Sequence, residues 1–181
     1  IDTTFKKIKN LYLTSASEFK INNLSMAIEA AKLCNLKKEK IYKSLKKIKD
    51  VSGRLELVRK FSNNIKVFID YAHTPDALSK ALQSLIHKYG KNISLVFGCG
   101  GDRDKKKRSL MAKVANNLSN KIYITDDNPR NEDPKKIRNE IIKGIDQSKC
   151  FNFGKREKAI KEAIINSKQN EVVLIAGKGH E

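Results

Sequence analysis

The stretch Thr125-Asp126-Asp127-Asn128-Pro129-Arg130-Asn131-Glu132-Asp133-Pro134 decides how this chain is read. Before it stands a short apolar run, Lys121 to Thr125; after it, Ile137, Ile141, Ile142 and Ile145 recur at helical spacing. Such a run, then a polar break, then a 3.6-residue period predicts strand, loop and helix. Asp133 followed by Pro134 predicts the helix start, because aspartate accepts from orphan N–H groups and proline fits the first turn. The loop therefore lies at the carboxyl end of a strand, where open α/β sheets bind ligands. Pro129 stiffens it, and Arg130 offers a planar fork suited to a carboxylate. A plain surface turn that happens to carry an arginine is the competing reading.

The same alternation extends outward from this unit. Leu55 to Phe61 and Ile65 to Tyr71 are strand-like and separated by Ser62-Asn63-Asn64, which suits a hairpin. Ile65–Tyr71 leads to a helix with Leu78, Ala81, Leu82 and Leu85 inward. Ile93–Phe97 leads to one with Leu110, Met111, Val114, Ala115 and Leu118 inward. A strand near Cys150–Phe153 precedes a helix with Ala159, Ile160, Ala163 and Ile164, and Val172–Ala176 closes the series. Strands alternating with helices imply right-handed crossovers and an α/β fold: a Rossmann-like, doubly wound, mainly parallel sheet with an N-terminal hairpin strand.

Ahead of it, Leu24, Ile28 and Ala31 share one face and Ile41, Leu45 and Ile48 another, behind an irregular start. These two short helices are expected to be too small for a core of their own and to end a preceding domain. The chain begins with Ile and stops at Glu181 with no helix after the last strand, so it is expected to be a piece of something longer.

Composition narrows the function. Apolar residues make up 39% of 181, enough for a core, and no run approaches the roughly 18 apolar residues of a membrane span. The net charge of +18 allows a nucleic-acid-binding module. The positive residues are mostly lysines spread over helix faces, however, with no aromatics interleaved at stacking spacing. A solvated surface that favours anionic ligands is the preferred reading. Cys34, Cys99 and Cys150 show no metal spacing and are expected to be buried thiols in a reducing cytoplasm.

In a parallel sheet the loops after the strands converge on one edge. Here they read Asp70-Tyr71-Ala72-His73-Thr74-Pro75-Asp76, Gly98-Cys99-Gly100-Gly101-Asp102-Arg103-Asp104, Asp126-Asp127-Asn128-Pro129-Arg130 and Gly177-Lys178-Gly179-His180-Glu181. Gly98, Gly100 and Gly101 could cradle a phosphate, but they lack the last glycine of a dinucleotide fingerprint and the Lys-Ser/Thr pair of a P-loop. His73 is either a base or a histidine at a strand end. Thr74-Pro75 suits a helix start, and Lys178 and His180 either touch an anion or mark a tight turn.

Five segments, in order, carry a resemblance: Gly53-Arg54-Leu55-Glu56, Asp70 to Leu78, Phe97 to Asp104, Asp127 to Arg130, and Ala176 to Glu181. Together they resemble the C-terminal half of the Mur ligases, ATP-dependent amide-bond ligases of peptidoglycan precursor synthesis, from about Phe19 to the end. The resemblance implies that residues 1–53 are the tail of a central ATP-binding domain and 54–181 a C-terminal domain cut short at its end. It further implies members that add meso-diaminopimelate to UDP-N-acetylmuramoyl-L-alanyl-D-glutamate through an acyl phosphate, because Asp127-Asn128-Pro129-Arg130 matches their signature. Arg103, Arg130, Gly177 and Glu181 match positions that hold the incoming amino acid, with Asp127, Asn128 and Pro129 beside them. Arg54 and Asp70 match residues near ATP, and His73 shares their loop.

Diaminopimelate is lysine with a further carboxylate, and lysine would leave Arg130 without its anion. A charged hydrogen bond of roughly 1.5–3 kcal/mol corresponds to about 10- to 150-fold discrimination. ATP and Mg²⁺ are implied, with the nucleotide loop and the carbamylated lysine that helps hold the metal expected in the central domain. No catalytic residue or metal ligand is assigned to this chain, and the fragment is expected to be inactive alone. The enzyme is expected to be a cytoplasmic monomer that engages neither membrane nor nucleic acid. Ser109 departs from the family's usual proline. A Mur-type ligase for another amino acid such as L-lysine, a folylpolyglutamate synthetase and a basic nucleic-acid-binding module are the rival readings.

Overall fold

The structure, a computed structural model, describes residues 18–45, 47–48 and 51–179. The chain divides into two compact units, residues 1–50 and 51–181. The irregular start before residue 18, His180 and Glu181 lie outside the described residues.

In the first unit, helix α1 (Glu18–Leu33) and helix α2 (Lys38–Leu45) pack together. Ile21, Ile28, Ile41 and Leu45 are buried between them, with Leu24, Ala31 and Tyr42 packed around. The pair thus buries a small apolar cluster of its own, against the expectation that it could not. Ile48 is not part of it: α2 ends at Leu45, and Ile48 is 58% exposed.

The second unit is a six-stranded sheet in the order β1-β2-β6-β3-β4-β5. The strands are β1 (Glu56–Lys60), β2 (Lys66–Asp70), β3 (Ile93–Phe97), β4 (Lys121–Thr125), β5 (Cys150–Phe153) and β6 (Val172–Ala176). Only β1, hairpinned onto β2, runs antiparallel; the other four pairings are parallel. Between the strands lie α3 (Pro75–Tyr89), α4 (Lys106–Leu118), α5 (Pro134–Ile142), a 3₁₀ turn (Gln147–Lys149) and α6 (Arg156–Ile165).

Strand periodicity divides the core between two faces. Ile93, Leu95, Phe97, Ile122, Ile124, Val172, Leu174 and Ala176 point to one side, against Leu78, Leu82 and Leu85 of α3, Met111 and Ala115 of α4, and Ile137 and Ile141 of α5. Val67, Val96, Tyr123 and Val173 point to the other, against Ala159 and Ala163 of α6. Central strands buried on both faces read as continuous apolar runs, and β3 is buried at every position. Each large side chain so enclosed contributes roughly 1.5–3 kcal/mol of burial.

Two inward assignments need correction. Leu110 is 52% exposed, whereas Arg108, Met111, Ala112 and Ala115 form the inner face of α4. Ile145 is buried, but from the segment after α5 has ended. Of the cysteines, Cys99 is buried, Cys150 half-buried and Cys34 exposed, so the expectation of three buried thiols fails at Cys34.

The topology positions the loops. β6, the last strand, returns to insert between β2 and β3, so the loop after it emerges between the loops that follow β2 and β3 at the carboxyl edge. No described helix is long and apolar enough to cross a membrane.

Candidate amino-acid pocket at the carboxyl edge

The helix starts that frame the edge form as their sequences predict. Thr74 Oγ1 accepts from the Ala77 N–H at 3.3 Å, with Pro75 in the first turn of α3. Asp133 Oδ1 accepts from the Lys135 N–H at 2.8 Å, with Pro134 opening α5. Each cap fixes where its loop must end and so how the loop approaches its neighbour.

The loop after β3 and the loop after β4 are joined at several points. Gly101 N–H donates to Asn128 O at 2.9 Å, and Asn131 Nδ2 donates to Asp102 Oδ2 at 2.9 Å. Arg130 Nη1 donates to Gly101 O at 2.8 Å. The glycines of the β3 loop are spent on this contact. A Cβ at Gly98 would stand 2.2 Å from Thr125 O, one at Gly100 2.9 Å from Arg130 Nη1, and one at Gly101 1.9 Å from Pro129 O. Close approach of the β4 loop's backbone at Gly98 and Gly101, and of the Arg130 side chain at Gly100, accounts for these glycines, and the phosphate-cradle reading is not needed.

Asp102 on the β3 loop and Arg130 on the β4 loop both adopt φ of 49°. A non-glycine residue in that left-handed region costs about 1–3 kcal/mol and persists where surrounding contacts hold it. Arg130 is exposed, and beyond its bond to Gly101 its Nε and Nη2 take no hydrogen-bond partner among the described residues. Arg103 is exposed and makes no hydrogen bond or ion pair among the described residues. Asp127 Oδ1 accepts its neighbour Asn128's N–H at 2.8 Å, and its Oδ2 would lie 3.2 Å from a Cβ at Gly177, whose φ is +110°. The structure thus brings Asp127, Asn128, Pro129, Arg130, Arg103 and Gly177 to one edge. Glu181, the seventh residue of the set, lies outside the described residues.

On the β2 side of the same edge Asp70, at the end of β2, is buried and accepts two backbone N–H groups. They are Leu55 N–H on Oδ2 at 2.6 Å and Ala72 N–H on Oδ1 at 2.7 Å. Leu55 has φ 49°, so this bond holds another left-handed residue, next to Arg54. The Arg54 guanidinium lies over the Tyr71 ring at 4.7 Å, and His73 packs edge-on to the same ring at 4.8 Å. His73 Nδ1 sits 2.9 Å from Tyr71 O. Gly179 backs onto this group, since a Cβ there would meet Gly53 O at 3.1 Å and Tyr71 Cβ at 3.2 Å. Arg54, Asp70 and His73 therefore form one group, with the loop after β6 between it and Asp127.

Three arginines escaped the sequence reading. Arg108 is 1% exposed and pairs with Glu132 and Glu140. Glu132 lies close enough to that guanidinium that its carboxyl is held down at about 2, the Asp102 N–H adding to the effect. Arg138 pairs with Asp126 and donates to Asn152 Oδ1 at 2.8 Å. Arg156 Nη2 holds Ala176 O at 2.7 Å beneath the Gly177 turn; burial weakens its charged form while Asp127 supports it. A signal for Arg108 existed. It stands three residues before Met111 and seven before Ala115, on the inward phase of α4, where a charge requires buried partners. Among the described residues no group of three or more His, Cys, Asp or Glu could hold a metal ion.

Comparison with known proteins fits this geometry. Residues 53–179 match the family described as "Mur ligase, glutamate ligase domain". The chain belongs to the Mur ligase family. Among curated Mur ligases, it is 46% identical over 184 residues to UDP-N-acetylmuramoyl-L-alanyl-D-glutamate--2,6-diaminopimelate ligase of Rickettsia typhi, covering 100% of this chain and 37% of the relative. The ligase of the same name from Prochlorococcus marinus is 40% identical over 185 residues, covering 99% of this chain and 36% of that protein. A solved structure of a ligase with that name superposes with a TM-score of 0.67 at 36% identity, covering 91% of this chain and 34% of the other. A Mycobacterium tuberculosis folylpolyglutamate synthase complexed with ADP superposes at 0.73 with 19% identity, over 92% and 39% of the two chains, a likeness of fold alone. The chain thus spans little more than a third of the length of the Mur ligases it matches.

Proposed function

We propose that this chain is the amino-acid-accepting part of an ATP-dependent ligase that joins meso-diaminopimelate to UDP-N-acetylmuramoyl-L-alanyl-D-glutamate in peptidoglycan synthesis. The observation that carries the reading is Arg130. Its backbone is held at φ 49°, one guanidinium nitrogen is fixed on Gly101 O, and the rest of its planar fork is turned to no protein partner among the described residues. A fork so fixed suits the carboxylate that distinguishes diaminopimelate from lysine. Arg103 is assigned the second carboxylate, Asp127, Asn128 and Gly177 the polar walls, and Glu181 an ammonium.

The acyl phosphate that activates the D-glutamate carboxyl is made with ATP and Mg²⁺. Arg54 and Asp70, with His73 beside them, are assigned to the nucleotide side, and the magnesium ligands to residues beyond this chain. This chain's share of the chemistry is to hold the attacking amine in line, so positioning dominates over covalent work. The fragment by itself is expected to carry no ligase activity. The cytoplasm is the proposed compartment, in keeping with three unpaired thiols.

The test is calorimetry and steady-state ligation in a full-length ligase carrying this segment, with meso-diaminopimelate and L-lysine as competing amines. Arg130→Ala is expected to lower the preference for diaminopimelate by about 10- to 150-fold. An unchanged preference overturns the role given to Arg130.

A further inference from the structure

We propose that Glu132, clamped by the buried Arg108, is the positioning residue that aims Arg130, and so sets selectivity for a dicarboxylic amino acid without touching it. The inference rests on the function proposed above.

Arg108 meets Glu132 with two parallel bonds, Nη1 to Oε2 at 3.0 Å and Nη2 to Oε1 at 2.8 Å. A bidentate pair of this kind fixes the orientation of the carboxylate as well as its position. Two further contacts bring the pair onto the β3 loop. Arg108 Nη2 reaches Gly100 O at 3.3 Å, and Glu132 Oε1 accepts the Asp102 N–H at 2.7 Å. The peptide segment from Gly100 to Asp102 is therefore held at both ends by one ion pair. In its middle, Gly101 O accepts from Arg130 Nη1.

The second half of the clamp is on the β4 loop itself. Glu132 N–H donates to Pro129 O at 3.0 Å, closing a tight turn with Arg130 inside it. Arg130 keeps its left-handed φ between these two anchors. Both Glu132 oxygens are taken by Arg108 and the Asp102 N–H, and the exposed Lys105 Nζ stands 3.6 Å from Oε2. Glu140 is the useful contrast. It binds Arg108 Nη1 at 2.7 Å from α5 and, among the described residues, makes no hydrogen bond to the Gly100–Asp102 segment.

The experiment compares Glu132→Gln, Glu140→Gln, Arg130→Ala and the Glu132→Gln/Arg130→Ala double variant in a full-length ligase carrying this segment. KM is read for meso-diaminopimelate, L-lysine and ATP. Glu132→Gln is expected to raise KM for diaminopimelate about tenfold and lower its preference over lysine equally, with KM for ATP unchanged. Glu140→Gln leaves the preference intact, and in the Arg130→Ala background Glu132→Gln adds nothing to it. Glu132→Asp keeps a carboxylate beside Arg108 but shortens the reach to the Asp102 N–H, so it gives the same loss of preference should the glutamine variant not fold. If Arg130→Ala abolishes the preference while the Glu132 variants retain it, or if the two effects add, this inference is overturned and the function stands. It is equally overturned if Glu140→Gln matches Glu132→Gln, which makes the effect one of helix packing. If Arg130→Ala itself leaves the preference unchanged, the functional reading fails first.

Discussion

Gly101 lies flush against Pro129: a Cβ at the glycine would stand 1.9 Å from the proline's carbonyl oxygen and 2.7 Å from its carbonyl carbon. Both obstructing atoms are backbone, so no rotamer change relieves the overlap, and the β3 and β4 loops must separate. Gly101→Ala is therefore expected to cost about 2–3 kcal/mol of stability and to break the Gly101–Asn128 hydrogen bond. Gly154→Ala is the control. Its added methyl meets its nearest neighbour, Arg138 Nη1, at 3.5 Å, an ordinary contact, and is expected to change stability by about 0.5 kcal/mol or less. Urea unfolding of the two variants decides the comparison.

The frame of the second unit was legible because its signals are local. Lys121–Thr125 and Ile93–Phe97 form the strands their apolar runs predict, and Asp133-Pro134 caps a helix as its chemistry requires. The strand order was not legible, because nothing in Val172–Ala176 says that it pairs between β2 and β3. The candidate site divides in the same way. Arg130 announced itself on a loop, whereas Arg108 sat inside an apolar helix face and found its partners 24 and 32 residues away. Leu110 shows the converse failure: hydrophobicity alone placed it inward, one position out of phase with Met111.

The thiols should separate by burial. Cys99 lies behind the β3 loop, its Sγ 3.8 Å from Met111 Sδ, and burial pushes its thiol up from 9.0 to about 11. Only a small thiolate fraction then exists at pH 8, and reagent cannot reach it without local opening. Cys34 is exposed. Alkylation at pH 8 followed by peptide mass spectrometry is expected to modify Cys34 first, with Cys99 protected until the second unit unfolds. Equal rates at the two positions would contradict the packing described.

Acid should loosen the seam between the β3 and β4 loops. The Arg108 guanidinium, with help from the Asp102 N–H, holds the Glu132 carboxyl at about 2, against an ordinary 4.5. A carboxyl depressed on folding contributes stability that is present above its unfolded value and lost as pH falls through its folded value. The window is therefore pH 4.5 down to about 2. Glu132→Gln is expected to be less stable than the parent at pH 6 and to converge with it toward pH 2. Urea midpoints measured across that range test the sign, and a gap that widens on acidification would refute it.

Asp70 is expected to matter for the shape of the nucleotide side before it matters for any ligand. Its two oxygens accept the Leu55 and Ala72 N–H groups, and the first of these holds Leu55 in a left-handed conformation beside Arg54. In Asp70→Asn one of those N–H groups would face an amide NH₂, placing donor against donor in a buried position. The expected cost is about 1.5–3 kcal/mol, the range for a hydrogen bond to a charged group. The damage should also be local: Arg54 loses the fixed backbone that keeps its guanidinium over Tyr71. Amide hydrogen exchange is the discriminating measurement. Faster exchange at Leu55 and Ala72, with the Asn128–Gly101 seam unaffected, would show Asp70 acting as a clasp between the hairpin and β2. Uniform loss of protection across the sheet would show instead that the carboxylate supports the whole unit.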